Sequence, residues 1–481
     1  MMNTECRILN VEVKRFILLL FASGFWIADY GFSQNVIIKG KADTSYIAHA
    51  GMMSSTMYAY TYDDYISYRE KELGSSPIDG KGNFNISLKI SEPTYLFLMI
   101  ENAKAEMIAE PNRTYEIHIM PKDSDAVQTL SAPVAVEIEF VTSEYAELNF
   151  LIADFSTRYE TFLEEQRPLI IKKNKAIFGK TDTMKMTTKE KFSGYKKPFL
   201  NTYIDYTFAT LEESITLKDR EKIFNLYIKD KPVLLNNYEY MQFFNQFFSA
   251  IGGRFITTDK MLNEINQITS FTSLMLYFSE SKYLSNDTIR EAVILKSLSE
   301  YYKYDLYKPE RVAAIFEQAA KECIAEPNRK TAANIIKRMN TMKPGTPAPA
   351  FSFQDRNGKI ISLSDFKGKY VYLNFWASWC TSCIQEMMVI PELKKLYGNK
   401  IEFVSISVDK KPDVMRKFLL KNLQLDWIFL YGSNFRMLKE EYNVLTVPTY
   451  YLIDPKGNVL KSPAQKPQYI EPDFIQIKKK K

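Results

Sequence analysis

Cys380 and Cys383, two residues apart, are the side chains of this 481-residue chain whose type and spacing most directly support chemistry. They close the stretch V-Y-L-N-F-W-A-S-W-C-T-S-C-I-Q-E, from Val371 to Glu386. Its first six residues are β-branched, aromatic or Leu apart from Asn374, the composition of a central strand buried on both faces, and a helical pattern follows from Thr381. The pair therefore falls at a strand-to-helix turn. The unpaired N–H groups and positive dipole end of a helix N-terminus stabilise an anion, here the thiolate of Cys380. Cys380 is the expected attacking sulfur. Cys383, one turn further in, is expected to be less exposed and to resolve a mixed disulfide by displacing the substrate thiol.

Other chemistry at this spacing is weaker. C-x-x-C can be half of a zinc site, but closing one takes two more Cys or His ligands, and only Cys6, Cys323, His49 and His118 remain, at scattered positions. No metal is expected. A static structural disulfide stays open as an alternative, although a bridge closing so short a loop gains little chain entropy and suits redox work better.

The elements that position the pair belong to a long, ordered chain. At 481 residues and 46% apolar content it has room for two to four domains with full cores. The formal net charge of +6 includes the four lysines Lys478 to Lys481, so the body is near neutral and offers no footprint for nucleic acid. Lys14 and Arg15 precede a thirteen-residue apolar run, Phe16 to Ala28, and Gly31-Phe32-Ser33 offers small residues for cleavage before Gln34. Residues 1–33 read as a signal peptide, with an uncleaved N-terminal membrane anchor as the alternative. No Cys follows the apolar run, so a lipoprotein route is unsupported. The expected location is periplasmic or otherwise extracytoplasmic, soluble after cleavage, with three cysteines left in the mature chain.

Residues 34–133 read as a small antiparallel β domain: V-I-I-K-G, F-N-I-S-L-K-I, Y-L-F-L-M-I and Y-E-I-H-I, with turn signals at Asp79-Gly80, Gly82-Asn83 and Pro111-Asn112. Tyr58, Tyr60, Tyr62, Tyr65 and Tyr68 are read as exposed aromatics of this sheet, by default sheet packing and alternatively a binding face. Residues 134–342 read as an all-α helical domain of six to eight helices, with an aromatic stripe at Tyr238, Phe243, Phe244, Phe247 and Phe248 and breaks near Pro168, Lys180 to Asp182, Pro232, Gly252-Gly253 and Pro309. Cys323 lies between apolar neighbours as a buried thiol; its sharper reading is a third redox partner. Three prolines within Pro344 to Pro349 mark an extended connection, and residues 343–481 then alternate β and α before a closing hairpin at Pro455 to Asn458.

W-C-x-x-C after a buried strand, with V-P-T about 65 residues later, resembles the thioredoxin superfamily. P-G-x-x-A-P-x-F from Pro344 to Phe351, S-D-F-K-G-K-Y and N-F-W-A-S-W-C are similar to the membrane-side reductases of the TlpA and ResA type. The resemblance covers about residues 343 to 470. The two upstream regions resemble, more faintly, the accessory domains of Bacteroidetes-type proteins. The resemblance implies a thioredoxin-like C-terminal fold with Cys380 as nucleophile, Cys383 as resolving thiol and Pro448 as a cis-proline. A cis bond there would expose the Val447 backbone to an extended substrate strand, and Trp379 would flank the sulfurs. Asn374 stands where thioredoxins carry a buried Asp and cannot accept a proton. Glu386 matches a glutamate of ResA-like proteins able to pass a proton to Cys383; its plainer reading is a first-turn acid complementing the helix dipole.

Three departures stand out: Ser382 replaces the common proline, Pro391 falls late and breaks the helix, and after Pro467 the terminal helix is reduced to Q-Y-I-E-P-D-F-I-Q-I and lysines. The expected function is an exported thiol-disulfide oxidoreductase reducing protein disulfides, with no cofactor, because no flavin or nicotinamide motif is present. It would act on a disulfide-containing protein substrate and draw electrons from an upstream membrane thiol donor. The alternatives are an envelope ligand- or partner-binding protein with a regulatory redox pair, and a thiol peroxidase, whose P-x-x-x-T-x-x-C loop is absent at Cys380.

Overall fold

The computed structural model describes residues 34–42, 56–100, 103–121, 134–141, 147–172, 174–215, 220–256, 258–301, 307–409, 412–432, 435–444 and 446–479. The signal segment, Cys6, His49 and Lys480–Lys481 lie outside the described residues.

The first layer is an eight-stranded sheet built from β1 (Gln34–Ala42), β2 (Thr56–Tyr62), β3 (Glu70–Pro77), β4 (Asn83–Ile90), β5 (Thr94–Ile100), β6 (Ala103–Ala109), β7 (Thr114–Pro121) and β8 (Val134–Phe140), in the order β3-β2-β5-β6-β8-β7-β1-β4. β4 shows the cause of its strand form: Phe84, Ile86, Leu88 and Ile90 are buried and the residues between them exposed. The sheet is antiparallel except where β7 runs parallel to β1 and β8 to β6. β8 lies beyond residue 133, in the stretch read as the start of the helical region. Val136, Ile138 and Phe140 alternate with Glu137 and Glu139 there, a strand period rather than a helical one.

The tyrosines correct a second expectation. Tyr60 and Tyr65 are buried, and Tyr62 and Tyr68 only partly exposed. They meet helices instead of water: Tyr95 of β5 stacks on Tyr238 at 4.3 Å, and Tyr60, Tyr95 and Phe97 share a core with Leu151, Phe155 and Phe208. One face of the sheet closes on itself, and this other face is covered by the helical layer.

That layer holds ten α-helices among the described residues: α1 (Leu148–Ile171), α2 (Ala176–Phe192), α3 (Pro198–Ile215), α4 (Arg220–Tyr227), α5 (Tyr238–Ile256), α6 (Asp259–Asn263), α7 (Phe271–Phe278), α8 (Asp287–Tyr301), α9 (Pro309–Glu322) and α10 (Glu326–Asn340). Pro309 opens α9 and Pro232 lies between α4 and α5. Of the other expected breaks, those near Pro168 and Gly252-Gly253 fall three residues later, at Ile171 and Ile256, and the one at Lys180 to Asp182 is absent. Pro168 falls within the last turn of α1, Lys180 to Asp182 are inside α2, and α5 runs through Gly252. A Cβ on Gly252 would stand 2.0 Å from Ser297 Oγ of α8, so this glycine permits a close helix crossing and ends nothing. Of the aromatic stripe, Phe243, Phe244, Phe247 and Phe248 are fully buried core, and Tyr238 is partly buried against it.

The proline-rich connection lies against the last hairpin, with Ala348 N–H donating to the Gly457 carbonyl. The C-terminal layer is a seven-stranded sheet in the order β10-β9-β13-β12-β11-β14-β15, built from β9 (Ser352–Asp355), β10 (Ile360–Ser362), β11 (Tyr370–Trp376), β12 (Ile401–Ser407), β13 (Ile428–Tyr431), β14 (Thr449–Ile453) and β15 (Val459–Lys461). Central β11 pairs in parallel with β12 and antiparallel with β14, the mixed sheet of a thioredoxin-like fold. Its helices are α11 (Thr381–Met387), α12 (Ile390–Tyr397), α13 (Pro412–Lys421), α14 (Phe435–Glu440) and α15 (Glu471–Lys479). The gap between α11 and α12 falls just before Pro391, whose missing N–H and ring cannot continue a helix interior. The short C-terminal segment does form a covering helix: Phe474 and Ile477 of α15 are buried, and Phe474 stands edge-on to Tyr372 at 5.3 Å.

Candidate functional site

β11 carries the site to its place. Val371 through Trp376 are all buried, because β11 is an interior strand, paired on both edges by β12 and β14, and helices cover both faces. The chain then turns through Ala377, Ser378 and Trp379. Ser378 donates from its backbone N–H (3.0 Å) and its hydroxyl (2.8 Å) to Asp409, at the end of β12. Asp409 is fully buried and also accepts from Ser407 Oγ at 2.7 Å. This clasp was missed in the sequence; its only signal there is an acid directly after an apolar strand.

Cys380 is the N-cap of α11, and its Sγ accepts the Cys383 N–H at 3.2 Å. Helix formation and sulfur placement are thus one interaction: a cap acceptor at this position satisfies an otherwise unpaired helix N–H. Cys380 and Cys383 are joined as a disulfide. Cys380 retains 6% exposure and Cys383 none, while Trp379 beside them is half-exposed. Ser382 Oγ lies 3.5 Å from Cys380 Sγ, so the residue replacing proline brings a hydroxyl to the outer sulfur.

The other sequence-predicted residues converge from β14. Its register with β11 ends at Phe375 opposite Thr449, which sets Val447 and Pro448 one step further, beside the turn that leads to Cys380. The Val447–Pro448 bond is cis. Val447 packs against the core that contains both cysteines. Glu386, on the last turn of α11, accepts from Tyr450 Oη at 2.9 Å and lies 3.5 Å from Lys466 Nζ. Neither partner was singled out in the sequence. Burial, then the neighbouring Glu386, pushes the Tyr450 phenol well above its ordinary pKa, so it stays a donor. Asn374 is buried and accepts from Ser405 Oγ, which in turn accepts from Trp427 Nε1.

Cys323 is not brought to the pair. It is buried in the helical core, a cluster separate from that of Cys380 and Cys383, and burial pushes its thiol far above the usual cysteine range. His118 is half-exposed beside Glu139 at 3.4 Å. Among the described residues no three His, Cys, Asp or Glu side chains gather as metal ligands, and no helix is long and apolar enough to cross a membrane.

A nearly buried disulfide with one sulfur at a helix N-terminus, flanked by a half-exposed tryptophan and a cis-proline loop, is an arrangement suited to thiol-disulfide exchange. Residues 343–472 match the Redoxin family. The chain is 34% identical over 129 residues to thiol-disulfide oxidoreductase ResA of Bacillus subtilis, covering 25% of this chain and 67% of that protein. It is 37% identical over 119 residues to the thioredoxin-like protein YneN of the same organism, covering 24% and 68%. A solved thiol-disulfide oxidoreductase from Bacteroides fragilis aligns at 26% identity over 27% of this chain and 99% of that one, with a TM-score of 0.26.

Proposed function

Because this chain belongs, through its C-terminal domain, to the ResA-type thiol-disulfide oxidoreductases of the thioredoxin superfamily, we propose that it is an exported enzyme that reduces protein disulfides by cycling Cys380 and Cys383. The observation that carries this reading is the cysteine pair at the start of α11, with Cys380 as its N-cap retaining slight exposure and Cys383 enclosed. In the reduced enzyme the N-terminal N–H groups of α11 favour the Cys380 thiolate. That thiolate attacks one sulfur of the substrate disulfide, the S–S bond breaks, and the second sulfur leaves as a thiolate that takes a proton from water. Cys383 then attacks Cys380, re-forming the internal disulfide and releasing the reduced substrate.

Trp379, Val447 and Pro448 are assigned to substrate binding: Val447 offers its backbone to an extended strand, and Trp379 covers the sulfurs. Glu386 is assigned to proton transfer with Cys383. Residues 1–33 are assigned to export, and re-reduction to an upstream membrane thiol donor, since two electrons must enter for each turnover. The β and helical layers are proposed to hold an envelope partner. Their boundaries, 34–133 and 134–342, are redrawn at Phe140, where the sheet ends.

A Cys383→Ser variant tests the cycle. It should accumulate mixed disulfides through Cys380 in cells, seen as adducts that collapse on reduction, and their absence would sink the proposal. Direction is read by a redox titration followed through tryptophan fluorescence. A reversible two-electron couple near about −250 mV or below supports a reductase, and one near roughly −120 mV an oxidant.

A further inference from the structure

Resting on the disulfide-reduction cycle proposed above, we infer that Tyr450 and Lys466 are positioning residues for Glu386: from two separate segments they hold its carboxylate oriented as the acceptor for the Cys383 proton. The Glu386 side chain is only 14% exposed, yet each oxygen is engaged, Oε2 by the Tyr450 phenol at 2.9 Å and Oε1 by the Lys466 ammonium at 3.5 Å. A donor hydroxyl and a nearby cation each favour the anionic form of a carboxylate, the form that can accept a proton.

The two partners are tied to each other. Tyr450 stacks on Tyr372 of β11 at 5.5 Å and 11°, and Tyr372 Oη donates 2.8 Å to the carbonyl of Gln465, the residue before Lys466. One aromatic pair therefore sets both the phenol and the backbone that brings the lysine. Tyr450 is also two residues beyond Pro448 on β14, so the strand that would present Val447 to a substrate carries the group that orients the proton acceptor. The titratable groups facing Glu386 are Tyr372 from β11, Tyr450 from β14 and Lys466 after β15, and Cys383 precedes it by three residues on α11. Burial keeps both phenols protonated. Lys466 remains the cation that can be changed, and at 45% exposure its effect is moderated by water.

In the resolving step the Cys383 thiol passes its proton to Glu386 and its sulfur attacks Cys380 of the mixed disulfide. The bond between Cys380 and the substrate sulfur breaks, and the departing substrate thiolate takes the proton back from Glu386. Over the full cycle two electrons move from the dithiol to the substrate disulfide, and Glu386 ends as it began.

The test follows resolution of a mixed disulfide with a disulfide-bonded peptide, by stopped-flow tryptophan fluorescence in the full chain, between pH 5 and 9. Lys466→Met and Tyr450→Phe should each move the acid limb of the rate profile to higher pH by about half a unit to one unit, with the alkaline plateau kept within about twofold. Lys466→Arg should restore the wild-type profile. In a Glu386→Gln background, Lys466→Met should shift nothing further. A Lys466→Met profile that superposes on wild type overturns the assignment, as does a shift that persists without Glu386. A Lys466→Arg variant as impaired as Lys466→Met overturns it too, by showing a packing role. A wild-type chain that exchanges no disulfide at all removes the cycle, and this role with it, and is told apart from the other outcomes because no variant then has a profile to compare.

Discussion

The carboxylate of Asp409 illustrates how one buried side chain fixes the geometry of a reactive turn. It gathers the Ser378 N–H, the Ser378 hydroxyl and the Ser407 hydroxyl, and so holds the middle one of the three residues that separate β11 from Cys380. Removing the acceptor leaves buried donors without partners, which costs more than the net worth of the bonds lost. Asp409→Ala is expected to lower unfolding stability by about 2–3 kcal/mol, and Asp409→Asn by less because an acceptor oxygen survives. Denaturant melts of the oxidised protein measure this, and equal losses in the two variants would contradict it. Residues of this kind explain which parts of the site are legible in a sequence. Cys380 and Cys383 are visible because their chemistry is written within one helical turn. Asp409, Tyr450 and Lys466 act on that turn from other strands and loops, and nothing local to any of them points at Cys380 or Glu386.

At the scale of elements, periodicity was informative wherever one neighbour decided the outcome, and misleading where two did. The alternation of β4 and the buried run of β11 match their burial directly. β8 alternates just as clearly, but it begins immediately after Pro133, beyond the residues read as the β domain. Tyr60 sits in β2 and Tyr65 in the turn that follows it, under a cover of α1, α3 and α5, and an alternating pattern does not say that a second face has a cover. Gly252 is the sharpest case. Read locally it is a helix breaker; in three dimensions its missing side chain admits Ser297 and Val293 of α8. Gly252→Val should therefore destabilise the helical layer by about 1–3 kcal/mol through forced separation of α5 and α8. Gly252→Val combined with Ser297→Gly should recover part of the loss. Thermal melts of the single and double variants decide this: simple additivity would mean that the crossing is not the cause. Redox cycling should be unchanged, since both helices belong to a core separate from the cysteines.

For the molecule as a whole, the three layers meet at the segment Asp63–Glu70, which leads into β3. Asn334 of α10 donates to Asp63 and Asp64 at 2.9 Å, and Arg338 donates to the Ser67 carbonyl. From the C-terminal layer, Lys439 reaches Glu70 at 3.1 Å, Arg436 lies 3.6 Å from the same carboxylate, and the Arg436 guanidinium covers the Tyr60 ring at 4.6 Å. Arg436 and Lys439 belong to α14, the helix that precedes the Val447–Pro448 loop. The contact that docks the C-terminal layer is thus on the element leading into its cis-proline loop. Glu70 is the common partner and only 11% exposed, so replacing it strands two cations at the junction. Because both cations are about a third exposed, water recovers much of their charge and the thermodynamic loss stays near 1 kcal/mol. The structural effect should be larger than the energetic one. Glu70→Ala is expected to speed amide hydrogen exchange in residues 435–444 and in the connection 343–350, while exchange in β11 and β12 stays at wild-type rates. The same pattern should appear in the wild type on raising salt to about 1 M, where charge pairs are screened within a few ångströms. If exchange at the junction is unchanged in both experiments, the layers are held by the Asn334 and Arg338 hydrogen bonds and the tyrosine contacts alone. If β11 loosens as well, the redox domain depends on its neighbours for its own fold.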